Sequence, residues 1–101
     1  MSAQNPNYFL IPEHMRSGMR DYIERGVPTG TFLRLILSND FLAVAGHGDI
    51  INQQALFDYC RFMYNEMPAM AKGNPENYAY WVETKGLEGL EAKRAQANSS
   101  M

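Results

Sequence analysis

The run from Ile11 to Pro28, IPEHMRSGMRDYIERGVP, carries a complete helix signature from start to stop. Pro12 suits the first helical position and Glu13 complements the positive end of the helix dipole. Ile11, Met15, Met19, Tyr22 and Ile23 recur at helical spacing on one face. Gly26 supplies the stop and Pro28 keeps the helix from resuming. Gly18, mid-helix, costs about 1 kcal/mol against alanine, and its expected use is close approach of another helix.

The same reading extends downstream. Thr29 or Thr31 caps a second helix whose Phe32, Leu33, Leu35, Ile36 and Leu37 are apolar nearly all round, as a buried element requires. Ser38-Asn39-Asp40 breaks it, Phe41 to Ala45 adds a short turn, and Gly46-His47-Gly48 connects. Asp49 caps the longest helix, Ile50 to Met67. Its apolar stripe is Leu56, Tyr59, Cys60, Met63 and Met67, widened by Phe57 and Tyr64; Gln54, Asp58, Arg61 and Asn65 form the polar stripe. Asn74-Pro75-Glu76 opens a last helix that carries Tyr78, Tyr80, Trp81 and Val82 and stops at Gly86. Upstream, residues 1–10 read as an extended arm between Pro6 and Pro12. Residues 87–101 read as a polar, flexible tail in which Glu88, Glu91, Lys93 and Arg94 offer at most a frayed helix. The expectation is an all-α fold: a single small domain, residues 11–86, of about four helices with a short broken second helix.

Bulk properties narrow the function. The chain has 101 residues, nine Lys/Arg against eleven Asp/Glu, and 12% aromatics. That charge balance lacks the basic excess with which proteins neutralise the phosphates of a nucleic acid polymer. One cysteine forms no internal disulfide, the N-terminus has no signal-peptide pattern, and no apolar run reaches the length of a membrane span. A cytoplasmic protein with no membrane partner is expected.

Little in the sequence points to catalysis. His14 and His47 are the only histidines, and no metal-ligand spacing joins them to Cys60. Neither glycine pair, Gly26/Gly30 nor Gly46/Gly48, leads to the Lys-Ser/Thr of a phosphate loop. Cys60 sits in the apolar stripe, where a small buried hydrophobe is expected rather than an activated thiol. A non-enzyme without cofactor or metal is the expectation.

Binding features are richer. Arg16 and Arg20 lie four apart on the polar face of the first helix, with His14 near their edge. Flanked by Glu13 and Glu24, they read either as a solvated face of i, i+4 ion pairs or as an anion clamp. In the clamp reading Tyr8, Phe9 or Tyr64 stacks a base beside the phosphates. Trp81 is assigned to the core. Twelve aromatics exceed what one such domain hides, so a homo-oligomer or partner interface is expected, with Tyr59 and Tyr80 as its candidate contacts.

The motifs IPEHM (11–15), GVPTGTF (26–32), LSND (37–40), FMYNEMP (62–68) and GNPENYAYW (73–81) together resemble a group of short proteins encoded by tailed phages and prophages. The likeness spans about residues 11–81 and implies no catalytic or binding residue. It implies a context: small phage accessory proteins that disable host defence by binding. The resulting expectation is an oligomeric sponge for a small anionic ligand, such as a cyclic nucleotide immune signal. The alternative is a protein–protein inhibitor of a host defence complex or host enzyme.

Overall fold

The structure, a computed structural model, describes residues 6–99. It is all-helical: α1 (Glu13–Arg25), α2 (Thr31–Leu37), α3 (Phe41–Val44), α4 (Ile50–Gln54), α5 (Leu56–Glu66), α6 (Pro75–Thr84) and α7 (Gly86–Ser99), with 3-10 turns at Tyr8–Leu10 and Ala69–Ala71. Among the described residues there is no strand. Three helices begin on side-chain caps that the sequence announces. Asp40, Asp49 and Asn74 accept the backbone N–H groups of Ala43, Asn52 and Asn77, each satisfying a donor that the first turn leaves unpaired.

Among the described residues seven helices replace the expected four because the chain breaks where the apolar pattern continues. The expected helix from Ile50 to Met67 divides at Ala55, whose ψ of 9° ends the helical path. Across that break the Tyr59 hydroxyl donates to Asn52 Oδ1 at 2.7 Å, and both residues are buried. The expected flexible tail is largely α7. Its Leu87 and Leu90 pack partly against the core, and α7 lies along α1.

The α1–α7 contact depends on two glycines in the left-handed region. Gly26 caps α1 at φ 65°, and Gly86 opens α7 at φ 67°. A side chain on Gly86 would stand 2.6 Å from the backbone nitrogens of Arg25 and Gly26, so the two chain segments touch backbone to backbone. Gly18 does not play that part. A methyl group there would meet only Leu33 Cδ1, at an ordinary 3.7 Å.

Trp81 fixes the same corner from inside. Its fully buried indole Nε1 donates to the carbonyls of Tyr22 (3.0 Å) and Ile23 (3.2 Å) in the last turn of α1. The Tyr22 hydroxyl donates to Ala71 O at 2.7 Å and its ring stacks on Tyr78, with centroids 5.2 Å apart. Tyr22 and Trp81, with Met19, Ile23, Ile36, Leu37 and Phe62, form the centre of the core. Burying a side chain of this class contributes roughly 1.5–3 kcal/mol.

Three expectations are corrected here. Residues 6–10 of the expected extended arm form a closed turn: Asn7 caps it, Tyr8 packs on Phe62 with centroids 5.6 Å apart, and Asn7 N–H donates to Glu66. Residues 1–5 of that arm lie outside the described residues. This turn decides which face of α5 goes inward: Tyr59, Phe62, Met63 and Glu66 are buried, while Cys60 is exposed. Tyr59 is therefore not an interface residue. It is fully buried, edge-on to Phe32. Tyr80 stays at the surface, and Lys93 of α7 lies over its ring at 6.0 Å.

Candidate functional site

Arg16 and Arg20 are brought together with Tyr8 and Phe9 at the N-terminal turn. Helical spacing puts the two arginines one turn apart on α1, and the turn at Tyr8–Leu10 folds back over them. The Arg16 guanidinium carbon stands 4.7 Å from the Phe9 ring centroid, and that of Arg20 stands 4.8 Å from the Tyr8 centroid. Both distances suit cation–π attraction.

The two arginines do different work. Arg16 Nε donates to the carbonyls of Tyr8 and Ile11, each at 3.0 Å, and Nη2 reaches Phe9 O at 3.4 Å. Arg16 thus holds the turn closed, with part of its donor set already used. Arg20 is exposed and lies on the Tyr8 ring. The ion pairs of the described residues are His14–Asp49, Arg25–Asp21 and Arg61–Asp58; neither Arg16 nor Arg20 belongs to them. The ladder of i, i+4 pairs with Glu13 and Glu24 is not formed.

The aromatic pair is equally asymmetric. Phe9 is 80% exposed, whereas Tyr8 is buried beneath Arg20. The Tyr8 hydroxyl is buried without a hydrogen-bond partner. Burial, and then the charge of Glu24, push it up to about 12, with Arg20 acting in the opposite direction. Tyr8 is therefore the platform under Arg20, and Phe9 is the ring with a face available for stacking.

His14 faces another way. Its Nε2 lies 3.1 Å from Asp49 Oδ2, while Asp49 Oδ1 caps α4, so one carboxylate ties α1 to α4. The Asp49 carboxyl is held low, first by the Asn52 N–H and then by the charge of His14. Beside this pair is an open depression of about 700 Å³ lined by Pro12, Glu13, His14, Ser17 and Ile51. Neither Arg16 nor Arg20 lines it; both are turned to the Tyr8–Leu10 turn instead.

Tyr64 belongs to a different surface. It is 84% exposed on α5 and lines a groove of about 200 Å³ with Phe41, Cys60, Met63 and Lys72. No residue of α1 lines that groove. The Lys72 ammonium, which donates to Met67 O at 2.8 Å, is pulled down by burial. The α5 surface is the feature that sequence reading missed. Its signal is the repeat Phe57, Cys60, Arg61, Tyr64 at i, i+3, i+4 and i+7, an amphipathic stripe opposite the buried one.

Among the described residues no group of three or more His, Cys, Asp or Glu is placed to hold a metal ion. Among the described residues no helix is long and apolar enough to cross a membrane. No protein-family model matches the chain, and neither a curated protein nor a solved structure matches it, so fold and site are read from their own geometry.

Proposed function

We propose that this chain is a non-enzymatic binding protein that captures a small anionic ligand of the cyclic-nucleotide class. The observation that carries the reading is the exposed Arg20, set on the Tyr8 ring one helical turn from Arg16, which itself lies on the exposed ring of Phe9. A guanidinium fork takes phosphate oxygens two at a time, and a neighbouring aromatic face stacks a base. Arg20 supplies the phosphate contact, Arg16 adds charge while holding the turn, and Phe9 stacks. These three residues lie outside the depression lined by Glu13, His14 and Ser17, so the ligand is held on the open surface of α1. His14, engaged with Asp49, shapes the wall instead of gripping phosphate.

The resemblance to phage-encoded proteins gives this capture a purpose: withdrawing a nucleotide immune signal from its receptor in the host cytoplasm. A second reading is a protein–protein inhibitor of a host defence complex or enzyme. The bare apolar side chains of α3 and α4, with Leu42 at 91% and Ile50 at 67% exposure, favour it.

Titration calorimetry of the folded chain against cyclic di- and trinucleotides separates the two readings. Saturable heat with one of them supports capture. Absence of heat with all of them, together with a stable complex recovered from host lysate, replaces capture with the second reading.

A further inference from the structure

The outer face of α5 is a second feature, independent of anion binding. Phe57, Cys60, Arg61 and Tyr64 follow one another at i, i+3, i+4 and i+7, and all four are exposed. Phe57 is 73% exposed and Tyr64 84%. The opposite face of the helix is fully used in the core, so the stripe is surplus to folding. Next to its C-terminal half opens the groove lined by Phe41, Cys60, Met63 and Tyr64.

The stripe has an aromatic at each end, Phe57 and Tyr64, with Cys60 and Arg61 between them. A two-fold axis between Cys60 and Arg61 lays α5 antiparallel on a second α5. Each Phe57 then falls beside the Tyr64 of the other copy, where the groove opens. Knob and hole are carried by one chain on the same side, so both contacts form at once, as an isologous interface requires. The axis also sets the two Arg61 side by side, so carboxylates must offset their repulsion. Arg61 Nη1 lies 3.6 Å from Asp58 of its own helix, and antiparallel packing brings the Asp58 of the second copy within reach of the same guanidinium. Phe57 and Tyr64 of two copies together remove roughly 500 Å² from water. That is about a third of the roughly 1,600 Å² of a standard interface, before Phe41 and the stems of Arg61 and Lys72 are added.

We propose that α5 is a homodimer interface, with a second copy of this chain as its occupant and Phe57 seated in the Phe41/Cys60/Met63/Tyr64 groove. Sedimentation equilibrium of the full chain at high micromolar concentration is expected to give twice the 11.5 kDa chain mass. Phe57→Arg and Tyr64→Arg each give monomers with unchanged circular dichroism, whereas Phe9→Arg stays dimeric. A short bis-thiol-reactive linker joins Cys60 to Cys60 in the parent and not in Phe57→Arg. A monomeric parent overturns the proposal. So does a dimer that survives both α5 substitutions, or one that Phe9→Arg dissolves.

Discussion

Gly86→Ala tests the packing account at its tightest point. The added methyl would stand 2.6 Å from Arg25 N, Glu24 C and Gly26 N, all of them backbone atoms that cannot rotate aside. Placing a Cβ at φ 67° costs about 1–2 kcal/mol, and forcing an extra carbon into filled space typically costs about 1–3 kcal/mol more. The expected loss is about 2–5 kcal/mol, a large part of the roughly 5–15 kcal/mol that stabilises a domain. Thermal and urea unfolding, followed by far-ultraviolet circular dichroism, gives the number directly. At roughly 4–8 °C per kcal/mol, the midpoint should fall by about 10 °C or more. Gly18→Ala is the internal control. It sits in a helix with only Leu33 Cδ1 at 3.7 Å, so it should stabilise by about 1 kcal/mol. Two results refute the reasoning: a loss under about 1 kcal/mol for Gly86→Ala, or equal losses for both glycines.

Trp81→Phe keeps an aromatic ring but removes the donor shared by Tyr22 O and Ile23 O; unfolding should show a loss of about 1–3 kcal/mol. Tyr59→Phe leaves Asn52 Oδ1 buried without its hydroxyl donor, so it should cost about 1–2 kcal/mol while leaving the sedimentation mass unchanged. Burial raises the hydroxyls of Tyr8, Tyr22 and Tyr59 above their ordinary value near 10, so each holds its proton more tightly folded than unfolded. That stability is complete below the unfolded value and is lost as pH rises above it. Urea midpoints measured from pH 8 upward should therefore stay level and then drop above about pH 10.

Much of this fold is legible in the chain because local chemistry and tertiary demand agree. The Met19/Tyr22/Ile23 face of α1, the stop at Gly26, the caps Asp49 and Asn74 and the buried Trp81 all follow from spacing and residue type. The stop expected at Gly86 falls earlier: α6 ends at Thr84 on Lys85 in the left-handed region, and Gly86 already belongs to α7. The register of α5 does not. Leu56 to Met67 has apolar residues on every side, so periodicity permits either Cys60 or Phe62 to point inward. The choice is made by distant partners, Tyr8 on Phe62 and Asn7 on Glu66, more than fifty residues away in sequence. The polar composition of α7 conceals it for a similar reason. Its docking rests on backbone approach at Gly86 more than on an apolar face. At the candidate site, spacing places Arg16 beside Arg20, but only the fold shows that Arg16 spends its Nε on the Tyr8 and Ile11 carbonyls.

The central claim is that Arg20 grips an anionic ligand, and one comparison tests it most directly. Arg20 is exposed, so Arg20→Ala should keep the parent's circular dichroism, with an unfolding midpoint lowered only by the loss of its contact with the Tyr8 ring, about 0.5–1 kcal/mol. Removing a charge-assisted bond of about 1.5–3 kcal/mol should weaken the bound cyclic nucleotide roughly 10- to 100-fold by titration calorimetry. Arg34→Ala, on exposed α2 surface, should bind like the parent. Equal affinity in the parent and Arg20→Ala would contradict the account.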